Sequence, residues 1–212
     1  IVENKEDWKF EERLSKEFEA VGFFISDHPL NQYKNVFNDY KIIDYKNFLN
    51  NDNFTEVNIA ATLLKIQERK TSKGNSYAVL KLTDLSSVFE LFIFSDILDL
   101  NREILKEGNS FLLSIVKSLT DTENRYRRIN VKKISSLKDL INQPIKEITF
   151  DIKSLEELKK ISIFLTKHGN TSVIIRFSDK KSKLYFQLGN KRNIDRKTIN
   201  LLRNKEISAI IS

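Results

Sequence analysis

The spacing of apolar residues changes character along the chain and marks off three stretches. Between Asp7 and Phe24, Trp8, Leu14, Phe18 and Val21 fall at helical spacing among charged residues, which predicts an amphipathic helix. Gly22 interrupts that pattern, and Asp27-His28-Pro29 supplies a cap-like break, since proline fixes φ and suits the first turn of a following helix. Leu30, Tyr33, Val36, Phe37 and Tyr40 then continue at three- and four-residue steps, so the head reads as a helical pair turning at His28-Pro29. The run Asn50-Asn51-Asp52-Asn53 has no apolar residue and makes the first boundary.

After that boundary the period shortens. Val57 to Ile66 is dominated by apolar and small residues and predicts a long, largely buried strand. The polar stretch 69–76 follows as a loop, then Tyr77-Ala78-Val79-Leu80-Lys81-Leu82, the turn 83–87 and Val88 to Phe94, which together predict a hairpin. Ile97 to Leu105 reads as a helix stopped at Lys106-Glu107-Gly108. Phe111 to Val116 and Arg127 to Ile134 are two more strands around the polar loop 120–124. The order β-β-β-α-β-β, with loops after the first and fourth strands, is that of an OB-type barrel, and other five-stranded arrangements share it.

The last stretch gives a strand at Ile148–Ile152 and a helix opened by the capping-box pattern Ser154-Leu155-Glu156-Glu157 and stopped at His168-Gly169. A hairpin of Val173–Phe177 and Lys183–Leu188, a helix over Asp195–Arg203 and a short strand at Ile207–Ile211 complete it. The expected fold class is therefore α+β and multi-domain. A helical segment over 1–54 precedes a five-stranded OB-fold barrel over 55–136, and a small β-α-β-β-α-β domain follows over 145–212.

Composition adds constraints. Of 212 residues, 40% are hydrophobic and 31% charged, as in a globular protein, and no stretch approaches the length of a membrane span. There is no cysteine, which removes disulfides, thiolate nucleophiles and Cys-type zinc sites. There is no methionine either, and the first residue is Ile1, so the expectation is a piece of a longer protein. No secretory signal precedes the first helix, which suits a cytoplasmic location without membrane partners. The net charge of +7 is uneven: −4 over residues 1–54, +3 over 55–135 and +8 over 136–212. That asymmetry points to a polyanion on the later part of the chain; a merely lysine-rich composition is the alternative reading.

Catalytic groupings do not nominate themselves. His28 and His168 each stand beside a helix-breaking residue, and the five glycines match no phosphate-binding loop. Carboxylate pairs such as Glu11-Glu12 read as solvated helix faces, and no cofactor is expected. Binding chemistry is better represented. OB barrels hold single strands through basic groups on phosphates and aromatic rings under bases. Arg69, Lys70 and Lys73 surround Gly74 after the first strand, and Arg125, Tyr126, Arg127 and Arg128 end the loop after the fourth. If Ala78, Leu80 and Leu82 face the core, Tyr77, Val79 and Lys81 face outward. The same parity puts Glu90 and Phe92 on that outer sheet, where Phe92 serves either to stack a base or to pack against another domain.

The stretch from Phe18 to Tyr33, with Gly22-Phe23-Phe24-Ile25 and His28-Pro29-Leu30, resembles a segment of the alpha subunit of bacterial DNA polymerase III that lies shortly before an OB domain. Arg69 to Gly74, Leu82-Thr83-Asp84-Leu85-Ser86 and Glu90 to Phe94 follow in the family's order, with Ser87 where a glycine is usual and Val21 where a leucine is usual. The resemblance implies a non-catalytic part of a DNA-directed DNA polymerase, a nucleotidyltransferase whose palm and PHP domains lie elsewhere. It implies an OB domain near single-stranded template and a C-terminal domain docking the tau subunit of the clamp loader and other replisome subunits. From the residues alone, a protein-interaction OB module or an accessory barrel of a tRNA synthetase or helicase stays open.

Overall fold

The computed structural model describes residues 8–118, 128–178 and 183–211, which divide between Leu140 and Ile141 into two compact units. The fold is α+β, with one antiparallel sheet in the first unit and a mixed sheet in the second.

The sheet of the first unit has the strand order β3-β2-β1-β4-β5. β1 (Glu56–Lys70) is its long central strand, paired through its first half with β4 (Ser110–Ser118) and through its second with β2 (Ser76–Thr83). Its register shifts between Leu63 and Lys65, where one partner gives way to the other. β3 (Val88–Phe94) pairs with β2, and β5 (Arg128–Ser136) pairs with β4. The edge strands β3 and β5 approach one another, but among the described residues no ladder joins them and the sheet is not closed.

Alternation decides which face is core. Ala78, Leu80 and Leu82 of β2 and Phe89, Leu91 and Ile93 of β3 are buried, and each large side chain so placed stabilises the fold by about 1.5–3 kcal/mol. α3 (Ser95–Asn101) adds the fully buried Leu98. α2 (Tyr45–Asn50) adds Phe48 and Tyr45, whose ring stacks on Phe89 at 3.8 Å between centroids.

In β1 the run Ile59 to Leu63 is buried without alternation, because both faces are covered there. The head supplies the outer cover: Ile43 N–H donates to Asn58 O at 3.0 Å, and Leu30 lines a groove together with Ala60. The head consists of α1 (Phe10–Val21), a 3-10 helix (Pro29–Val36) and α2. The second helical run of the pair is 3-10 in form. One expectation needs correcting here: Arg69 and Lys70 lie in β1 rather than in a loop.

The second unit, which begins within the short α4 (Leu137–Asn142), has the strand order β8-β7-β6-β9. β6 (Glu147–Ile152) and β7 (His168–Ser178) are parallel, joined through α5 (Leu155–Ser162) and a 3-10 turn at Ile163–Leu165. β8 (Lys183–Gln187) and β9 (Ser208–Ile211), with α6 (Arg196–Asn204) between them, pair antiparallel at the two edges. Its core joins Ile148, Phe150, Val173 and Ile175 to Ile161, Ile199 and Leu202 from the helices. His168 opens β7 instead of closing the preceding helix, a second boundary that differs from expectation.

Candidate nucleic-acid interface

The face of β2 and β3 that the core does not use carries the candidate site. Tyr77, Val79 and Lys81 alternate with the buried residues of β2, and Glu90, Phe92 and Phe94 with those of β3. Antiparallel register aligns them with the outer half of β1 into three rows: Arg69, Tyr77 and Phe94; Gln67, Val79 and Phe92; Lys65, Lys81 and Glu90. Seven of these nine residues, all but Tyr77 and Phe94, line a shallow cavity of about 160 Å3.

Two rings stand open on this face. Phe92 is 50% and Phe94 41% exposed, although each sits in a strand whose other face is fully packed. Arg128, at the start of β5, holds its guanidinium carbon 5.0 Å from the Phe94 ring centroid, a cation over an aromatic face. Arg69 donates from Nη2 to Gln67 Oε1 at 2.8 Å, which fixes its guanidinium along the strand beside the cavity.

The remaining predicted residues divide. Lys70 lies opposite Ser76, so by parity it shares the other side of the ribbon with Glu68, whose carboxylate pairs with Arg102. Lys70 therefore does not join the Arg69 row. Lys73 is exposed in the turn Thr71–Asn75, which Thr71 and Asn75 close by a 2.9 Å backbone bond and which Gly74 completes at φ +84°, a conformation that favours glycine. Arg125, Tyr126 and Arg127 lie outside the described residues. Phe94, Lys65 and Gln67 were not singled out from sequence. The signal for Phe94 was its parity with Phe92, and that for the other two needed β1 to extend to Lys70.

The motif around His28 is architectural. His28 Nδ1 accepts from Leu30 N–H at 3.1 Å and caps the 3-10 helix, while Nε2 lies 3.4 Å from Thr83 Oγ1. With Nδ1 accepting, the neutral ring carries its proton on Nε2 and donates it to Thr83. Burial holds the imidazole below its ordinary pKa, against the pull of the Asp84 and Asp27 carboxylates. Asp84 itself is buried and accepts from Tyr45 N–H at 2.6 Å and from Ser86 N–H, Ser86 O–H and Ser87 N–H at 2.8 Å each. Two sequence motifs 55 residues apart thus meet and tie the head to the β2–β3 turn. Among the described residues no group of three histidines or carboxylates could hold a metal ion, and no helix is long and apolar enough to cross a membrane.

No family model matches the chain. Among curated proteins it is similar to DNA polymerase III subunit alpha of Rickettsia conorii, 31% identical over 183 residues that make up 84% of this chain and 15% of the relative. The corresponding subunit of Rickettsia felis is 31% identical over 177 residues, 81% of this chain and 14% of that protein. That of Halalkalibacterium halodurans is 25% identical over 177 residues, again 81% of this chain and 15% of the relative. The chain spans about one seventh of the length of these relatives and belongs, as a segment, to the DNA polymerase III alpha-subunit family.

Proposed function

We propose that this chain is a non-catalytic C-terminal part of a replicative DNA polymerase alpha subunit that holds single-stranded template on the outer face of β1, β2 and β3. The observation that carries the reading is the pair of open rings, Phe92 and Phe94, set in register beside Arg69 and Lys81. Stacked bases and neutralised phosphates need those two chemistries side by side. The antiparallel order β3-β2-β1-β4-β5 and the approach of β3 to β5 support an OB-type barrel. The polymerase chemistry then belongs to the longer parent. The second unit serves as the docking domain for the clamp-loader tau subunit and neighbouring replisome proteins.

Fluorescence titration with an oligothymidylate tests the DNA half. Phe92→Ala and Phe94→Ala should each weaken binding about tenfold, in line with about 1–3 kcal/mol per stacked base. Arg69→Ala should lower the slope of log affinity against log salt by about 0.7, and Lys70→Ala should change it less because Lys70 is on the opposite side of the ribbon. Unchanged binding in both phenylalanine variants would move the template off this face.

A further inference from the structure

Residues 141–212 contain 15 lysines and arginines against 7 aspartates and glutamates. Several of the acids are already engaged. Asp151 is paired with Arg176, Glu157 accepts from Lys153 N–H at 2.7 Å, and Asp195 accepts from Thr198 N–H at 2.7 Å as the cap of α6. Backbone pairing draws three of these basic residues into one ribbon. The segment entering β7 runs antiparallel to the one preceding α6: Asn193 N–H donates to Lys167 O at 2.9 Å, Gly169 N–H donates to Lys191 O at 3.3 Å, and residues 168 and 192 form a bridge.

Gly169 makes this approach possible, since a Cβ there would lie 2.5 Å from the Asn193 backbone. The ribbon so formed sets His168 opposite Arg192 on one face and, by strand alternation, Lys167 and Lys191 together on the other. Lys167, His168 and Lys191 are exposed and Arg192 is half-buried, its Nη1 bonded to Lys191 O at 3.4 Å. Among the described residues no carboxylate forms an ion pair with any of the four.

We propose that this ribbon is a second nucleic-acid contact, one that holds the phosphate backbone and reads no bases. Lys167 and Lys191 share one face and neither carries a ring on which a base could stack, so the chemistry there is charge neutralisation alone and its affinity is sequence-tolerant and salt-dependent. The choice of nucleic acid over another polyanion rests on reading the chain as part of a DNA polymerase. Single strands and duplexes present the same phosphates, and the test separates them.

The experiment titrates the whole chain with a fluorescent oligothymidylate and with a duplex of equal length across a salt series, and adds polyglutamate as a competitor. Replacing Lys167 and Lys191 together by alanine should lower the salt slope by about 1.4 on a single strand, or by about 1.8 on a duplex, at about 0.7 and 0.9 per phosphate contact. The variant Lys167→Arg with Lys191→Arg should keep the parental slope, which separates charge from folding. An unchanged slope on both probes in the alanine variant overturns the proposal, as does loss of polyglutamate binding alone. Weakened binding in Phe92→Ala with the ribbon variant silent would keep the template reading and remove this one. The converse would remove the stacking face and keep the ribbon.

Discussion

Asp84 shows how a single side chain can hold two elements. Both of its oxygens are used, Oδ1 by the turn Ser86-Ser87 and Oδ2 by the first N–H of α2. Removing the carboxylate strands the buried Tyr45 N–H at about 1–3 kcal/mol and releases the part-buried donors of the turn at less each, so Asp84→Ala should destabilise the first unit by about 3 kcal/mol in urea denaturation. Asp84→Asn should recover only part of that, because an amide NH2 must then face a donor. His28 makes a pH-dependent contribution of the opposite origin. Its folded pKa lies below the ordinary 6.5, so the unfolded chain takes up a proton at a pH where the folded chain resists one. The stabilisation is present in full above about pH 6.5, falls as pH drops from there toward the folded value and levels off beneath it. Denaturation midpoints measured between about pH 7.5 and about pH 5 should show this fall, and His28→Asn, a cap that does not titrate, should flatten it.

At the scale of elements, what the sequence revealed follows how much apolar patterning each element carries. β2 and β3 are half-buried, so strict alternation exposed both their existence and the outward parity of Tyr77, Lys81 and Phe92. The end of β1 was unreadable for the opposite reason. From Gln67 to Lys70 the strand is exposed on both sides, and the ladder to β2 holds it extended. The start of β7 failed similarly. His168-Gly169 has the composition of a helix stop, and its pairing partner lies more than twenty residues later in sequence. Gly169 is legible only in three dimensions, because its φ is unremarkable and its role is room for Asn193. Gly169→Ala should therefore cost about 1–3 kcal/mol by overpacking, whereas Gly189→Ala, with nothing near the added methyl, should be close to neutral in the same thermal melts.

Two hydrophobic clusters that share no residue set the behaviour of the whole chain. One gathers Phe48, Leu80, Leu98 and Phe111, the other Phe150, Ile161, Val173 and Leu202. The charge segregation visible in the sequence follows the same division, with the strongest basic excess in the second unit. Each cluster is complete within its own unit, so a cavity cut into one removes packing that the other never used. Leu80→Ala and Leu202→Ala each empty a fully buried site and should each cost about 2–5 kcal/mol. In a calorimetric scan of the parent chain, the summed unfolding enthalpy should exceed the van't Hoff value, because two cooperative units melt rather than one. Leu80→Ala should lower the transition of the first unit and Leu202→Ala that of the second, each leaving the other in place. A single transition moved equally by both substitutions would mean that the two cores unfold as one cooperative body.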